Sequence, residues 1–227
     1  MVYVCSDIHG EYQLLLQLLQ KIRFSPSDEM IVCGDVIDKG SGSVRLLKLL
    51  AQQSNFTFIL GNHEYDFLKY YHALMMNEQT DYDDVLAKLQ ACFPCDGLLL
   101  DWATVDWLDL QPFFVERESF VCVHSGIPLL PNNTLLCVKS ATAEQLVYDR
   151  KFKNPSLLPQ TEKCVFFGHT PSNYLTGKHE IILYPKVQNP VSVQDFTKIH
   201  LDVGSWLGGG VACFCVDTLQ TFYCKKA

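Results

Sequence analysis

No segment of this chain is apolar for long enough to cross a bilayer. The run at residues 14–19 is broken by Gln17 and stopped by Gln20, well short of the ~18–20 residues a span needs. Residues 1–6 pass directly into a strand-like run, with neither a basic start nor a long apolar stretch behind it, so they do not read as an export signal. No stripe of Lys or Arg is present either. With 18 basic against 25 acidic side chains and a formal charge of −7, the surface would repel a polyanion, which makes nucleic acid an unlikely partner. A second CxxC is missing too: Cys92-Phe93-Pro94-Cys95 stands alone, whereas a structural zinc site takes four ligands. Without an export signal, the ten cysteines are expected to be reduced thiols, with Cys5, Cys33, Cys122 and Cys164 inside apolar runs. Repeats and low-complexity tails are absent. The expectation is one cytoplasmic domain over residues 1–227, with no membrane partner and an oligomeric state that the sequence leaves open.

What is present begins with a βαβαβ opening. Residues 2–5, 30–33 and 56–60 read as strands, and residues 11–22 and 43–51 as helices with apolar positions at helical spacing. That alternation predicts a parallel sheet covered by helices. Residues 65–110 turn aromatic, acidic and helix-like, with breaks at Pro94 and Gly97, and are read as a helical cap inserted in the domain. Strands are predicted at 113–115, 120–123 and 164–167, a helix at 143–148, and further strands at 198–202, 211–216 and 221–224. Gly208-Gly209-Gly210 reads as a hairpin turn, since glycine reaches the positive φ of tight turns.

The chemistry sits where these strands end. Asp7-Ile8-His9, Gly34-Asp35, Gly61-Asn62-His63-Glu64, His124-Ser125-Gly126 and Gly168-His169 each follow an apolar run. Open α/β sheets gather ligands at the carboxyl ends of their strands. Carboxylates joined by imidazoles, without a thiolate, suit manganese, iron or zinc. In a two-metal site one carboxylate must bridge ions ~3.5–4 Å apart, and Asp35 stands in the middle of the set. A lone histidine at a strand end is usually a satisfied core residue, but four of seven histidines fall in these ordered motifs. His72, His179 and His200 lie outside them and are read as structural. The Tyr and Trp side chains between Tyr65 and Trp107 are read as cap packing rather than a base-stacking platform.

The order DxH, GDxxDxG, GNHE, HxG and GH resembles the calcineurin-like metallophosphoesterase superfamily. Within it, GDVIDKG and GNHEY resemble the phosphoprotein phosphatase group, which includes serine/threonine phosphatases, the bacteriophage lambda-type phosphatase and symmetrical diadenosine tetraphosphatase. The match runs from about residue 2 to residue 204. The resemblance implies an αββα two-sheet sandwich holding two divalent ions, most simply Mn²⁺ with Fe or Zn as alternatives. By position, Asp7, His9 and Asp35 would hold one ion, and Asp35, Asn62, His124 and His169 the other. His63, paired with Asp38, would protonate the leaving-group oxygen. A water between two such ions loses its proton near neutral pH and can attack in line.

Lys39 departs from the pattern, because the group carries a phosphate-gripping arginine there. Lysine keeps the charge and loses the two-pronged guanidinium. The group's second phosphate-binding arginine maps onto Arg150, Asn62 would also face the phosphate, and Asp202-Val203-Gly204 matches a late Asp-x-Gly that supports the ligands. The expected function is therefore a binuclear metal-dependent phosphatase acting on phosphomonoesters, phosphoserine and phosphothreonine proteins included. The alternative is a nucleotide or dinucleoside polyphosphate hydrolase. A non-catalytic scaffold on this fold would have lost ligands, and none is missing.

Overall fold

The computed structural model describes residues 1–76, 82–93 and 100–225. The predicted breaks at Pro94 and Gly97, and Cys95 of the CxxC pair, lie outside the described residues.

The chain runs β1 (Val2–Cys5), α1 (Tyr12–Lys21), β2 (Glu29–Cys33), α2 (Ser43–Gln52), β3 (Phe56–Ile59), α3 (Asn62–Met75), α4 (Tyr82–Ala91) and α5 (Trp102–Asp109). Then follow β4 (Phe114–Glu116), β5 (Phe120–Val123), α6 (Ala143–Tyr148), β6 (Cys164–Phe167), α7 (Asn173–Thr176), β7 (Ile182–Pro185), β8 (Phe196–His200), β9 (Val211–Cys215) and β10 (Thr221–Cys224). Among the described residues, ten strands make two five-stranded sheets, ordered β10-β9-β1-β2-β3 and β4-β5-β6-β8-β7. Each has three parallel strands at its centre or edge: β1, β2 and β3 in the first, β5, β6 and β8 in the second. Antiparallel strands complete both sheets. The fold is thus the two-sheet α/β sandwich expected from the motif order.

Alternation along the strands explains the layering, because successive side chains point to opposite faces. Val4, Ile31, Cys33 and Ile59 meet Cys122, Phe166, Ile199 and Phe214 in the core between the sheets. Their neighbours Tyr3, Cys5, Met30, Val32 and Phe58 face outward onto α1 and α2, whose Leu14, Leu15, Leu18, Leu46, Leu47 and Leu50 are buried there. Val121, Val123, Val165 and Phe167 cover the far side, under Leu146 of α6 and Phe152. Cys5, Cys33, Cys122 and Cys164 are buried and free, as expected of core thiols.

The Gly208-Gly209-Gly210 run is not the predicted hairpin turn. It ends a one-turn helix at Ser205–Leu207 and leads into β9, while the β9–β10 hairpin closes through residues 216–220, with the Cys215 amide donating to the Gln220 carbonyl. Glycine is needed here for close approach: a Cβ on Gly209 would lie 1.8 Å from the Val203 carbonyl oxygen. No described helix is long and apolar enough to cross a membrane.

Candidate metal centre and phosphate site

The loops leaving β1, β2, β3, β5 and β6 converge on one rim. The Asp7 and His9 amides donate to the Gly34 and Asp35 carbonyls, and Gly168 donates to His124. Asp7, His9, Asp35, Asp38, Lys39 and His169 all take positive φ, between 46° and 71°. Left-handed backbone is costly outside glycine and collects at functional loops. Gly61 permits the closest approach, since a Cβ there would sit 2.2 Å from an Asp35 carboxylate oxygen.

One atom organises the site. Asp35 Oδ2 lies 3.8 Å from His9 Nε2, 3.8 Å from His63 Nε2 and 3.4 Å from His124 Nε2. The ring orientations are set from behind: His9 Nδ1 donates to the Ile37 carbonyl at 2.9 Å and His124 Nδ1 to the Cys33 carbonyl at 2.8 Å, which leaves each Nε2 lone pair aimed inward. Two groups of potential ligand atoms share Asp35, one with His9 and His63, the other with His124 and His169. Asn62 Oδ1 closes on the second group, 2.7 Å from His169 Nδ1 and 3.0 Å from His124 Nε2. Asp7 stands outside both groups; its carboxylate accepts the Ser6 hydroxyl and, at 3.1 Å, the His169 amide.

The donor chemistry fits divalent cations. Asp7, Asp35 and Asp202 are buried, and no Lys or Arg pairs with them among the described residues. Burial, reinforced by Asp35, raises Asp7 to about 7 against the pull of His124. Burial and Asp7 push Asp202 well up. Converging imidazole and amide acceptors beside crowded acids present lone pairs that only a cation satisfies together.

Around this centre a cavity of about 170 Å³ is lined by His9, Asp35, Lys39, Asn62, His63, Arg150, His169, Pro171, Asp202 and Trp206. His63 Nδ1 pairs with Asp38 Oδ2 at 2.8 Å. Burial works against the charged imidazole, but Asp35 and Asp38 outweigh it and lift His63 to about 9. Lys39 reaches the same Asp38 oxygen at 3.2 Å and faces the cavity rather than open solvent alone. Arg150 also lines the cavity and makes no ion pair among the described residues. Its loop is pinned by Asp149, whose carboxylate accepts the Lys151 and Phe152 amides, and by the Lys198 ammonium, which donates to the Phe152 and Asn154 carbonyls at 2.7 and 2.8 Å.

All the residues singled out in the motifs thus reach one rim. Glu64 closes the GNHE motif but was given no role there, and two further residues were not singled out at all. Glu64 accepts the amides of Asp35, Val36, Ile37 and Gly61 at 2.8–3.1 Å, tying the β2 loop to the start of α3. An acid in the first turn of a helix signals an amide cap, though not this long-range one. Trp206 and Pro171 line the cavity without belonging to a ligand motif. The non-motif histidines are structural: His72 pairs with Asp109, His179 bonds Val203, and His200 stacks on Phe167. Tyr65, Phe67, Tyr71, Trp102 and Trp107 pack against neighbouring rings. A larger cleft of about 700 Å³ along α3 and α4 shares no lining residue with the site.

A sandwich of two mixed sheets with histidine and carboxylate ligands on one rim defines the metallophosphoesterase class. The chain belongs to the calcineurin-like phosphoesterase family, whose model matches residues 1–200. It is 32% identical over 148 residues to a symmetrical bis(5'-nucleosyl)-tetraphosphatase of Haemophilus ducreyi, an alignment covering 61% of this chain and 50% of that protein. For the enzyme of the same description from Salmonella paratyphi C, the values are 30% over 129 residues, 55% and 43%. The chain therefore spans about half the length of the curated relatives it matches. A crystal structure of a putative diadenosine tetraphosphatase shares the fold at a TM-score of 0.70 with 18% identity, covering 100% of this chain and 93% of that one. A cold-active protein-tyrosine phosphatase of Shewanella follows at 0.59 and 16%, covering 98% and 77%.

Proposed function

We propose that this chain is a metal-dependent hydrolase of phosphoric esters or anhydrides, with nucleoside polyphosphates as its substrate class. The observation that carries the reading is Asp35 Oδ2, 3.8 Å from His9 Nε2 and 3.4 Å from His124 Nε2, in a cavity lined by Lys39, Arg150 and His63. Asp7, His9, Asp35, Asn62, His124 and His169 are assigned to two divalent cations, manganese first among them. When bound, these supply positive charge against the phosphoryl oxygens and acidify the attacking water.

The chain's own groups do the rest. Lys39 and Arg150 both line the cavity and grip the phosphoryl oxygens, the lysine as a point charge and the arginine as a fork. Asp35 and Asp38 favour the imidazolium of His63, so Nδ1–H stays on Asp38 while Nε2–H carries the proton that the departing oxygen needs. As the water oxygen–phosphorus bond forms and the phosphorus–oxygen bond to the leaving group breaks, that proton passes from His63 Nε2 to the leaving oxygen, and the proton given up by the attacking water passes to solvent, from which His63 is reprotonated. Glu64 keeps Asp35 in register throughout.

Of the two substrate readings raised by the sequence, the curated relatives' descriptions favour the nucleotide one over phosphoproteins. The test is Mn²⁺-loaded protein offered bis(5'-adenosyl) tetraphosphate, ADP and a phosphoserine peptide. Release of ADP from the tetraphosphate at a kcat/KM well above that for the peptide supports the reading; the reverse order assigns the chain to phosphoproteins.

A further inference from the structure

Trp206 lines the phosphate cavity and is 43% exposed. Its backbone is held in place: Ser205 Oγ donates to the Asp7 carbonyl at 2.6 Å, and Gly204 and Gly208 bracket the turn at φ 71° and 93°. The indole is thus presented on a rigid support tied to the ligand loop. Its ring centroid lies 5.7 Å from Lys39 Nζ, Lys39 Nζ is 3.2 Å from Asp38 Oδ2, and that same oxygen is 2.8 Å from His63 Nδ1. Trp206 therefore adjoins the cation that shares Asp38 with His63, the group that meets the leaving oxygen, and Arg150 has no such aromatic neighbour among the described residues.

We propose that Trp206, with Lys39 beneath it, is a stacking lip for the planar base of a nucleoside phosphate, and so determines which leaving groups the site accepts. This rests on the phosphohydrolase reading above. A nucleobase offers a π-face to indole whatever its hydrogen-bonding edge, so the lip selects for nucleosides over aliphatic or peptidyl groups without reading base identity. Lys39 serves both parts: its charge lies toward the phosphate and beside the ring. The lysine found where the related group carries arginine thereby gains a role, as a point charge set against the face of the ring.

The experiment compares wild type, Trp206→Leu and Trp206→Phe, all Mn²⁺-loaded and checked for unchanged melting temperature. Calorimetric titration with the methylene analogue of ADP and with inorganic phosphate measures binding; turnover of ADP and of glycerol 3-phosphate measures selection. The lip predicts that Trp206→Leu weakens the analogue and lowers ADP kcat/KM about tenfold, that Trp206→Phe stays within about threefold of wild type, and that the losses on inorganic phosphate and glycerol phosphate are much smaller than those on the nucleotides. Equal losses on nucleoside and aliphatic ligands, or no loss on either, overturn it. A wild type that binds the analogue through Trp206 but hydrolyses no phosphate overturns the hydrolase reading and leaves the lip standing.

Discussion

A single carboxylate oxygen facing three imidazoles is an expensive thing to bury, and at the scale of the residue this cost is what marks the site. Among the motif histidines, His63 is distinguished by a carboxylate on Nδ1, Asp38 Oδ2 at 2.8 Å, where His9 and His124 hold backbone carbonyls. His63→Asn is expected to lower kcat ~10²–10⁴-fold while metal content stays unchanged. The loss should shrink for p-nitrophenyl phosphate, whose leaving group needs no proton; equal losses on aryl and alkyl esters would remove His63 from the acid's role. For Lys39, inhibition by inorganic phosphate separates a contact from a bystander: Lys39→Ala should raise the inhibition constant about tenfold with metal content intact. Unchanged inhibition would leave Arg150 as the only gripping cation. At this scale the sequence was informative, because Asp7, His9, Asp35, Asn62, His124 and His169 each end an apolar run, and strand ends in open sheets point one way. Trp206 was not legible, since nothing local ties residue 206 to Lys39; the contact exists only once β9 has returned beside β1.

At the scale of the element, loops of strained backbone are held by long-range clamps. Glu64, at the start of α3, fixes four amides of neighbouring loops, and Glu64→Gln replaces an acceptor oxygen by a donor against two of them. Stability should fall by about 2 kcal/mol or more, seen as a lower denaturation midpoint at constant m-value. Lys198 of β8 is buried under the rings of Phe152, Phe167 and Tyr184. Burial lowers its ammonium from 10.5 to about 8. Between those values the unfolded chain binds more protons than the folded one, so this lysine's contribution to stability rises with pH from about 8 upward and is unfavourable below. The stability difference between wild type and Lys198→Met should shift in favour of the wild type across that window; a difference independent of pH would contradict it. Periodicity located the elements well where burial is local, as in β5, β6, β10 and α6. It gave no warning that a lysine would occupy a fully buried strand position, because alternation reports a face and not what covers it. The glycine run at 208–210 misled for the same reason: positive φ is common to hairpins and to the end of a helical turn.

At the scale of the molecule, the two sheets hold Asp7 and Asp35 from one and His124 and His169 from the other, so cations at the rim would join the halves of the sandwich. Ligands that bind only the folded state stabilise it, by about 2.7 kcal/mol at a hundredfold excess over Kd. Mn²⁺ should therefore raise the melting temperature and a chelator should lower it again, most at neutral pH and above. Protonation of Asp7, which burial raises to about 7, competes with the cation as pH falls. The account turns on Asp35 belonging to two metal sites at once. Metal analysis by inductively coupled plasma mass spectrometry, on wild type and Asp35→Asn equilibrated with Mn²⁺ and desalted, measures that directly. Two equivalents per chain in the wild type, falling to one or fewer in Asp35→Asn, is the result predicted. A wild type that never holds more than one equivalent, or an Asp35→Asn protein that keeps two, would contradict it.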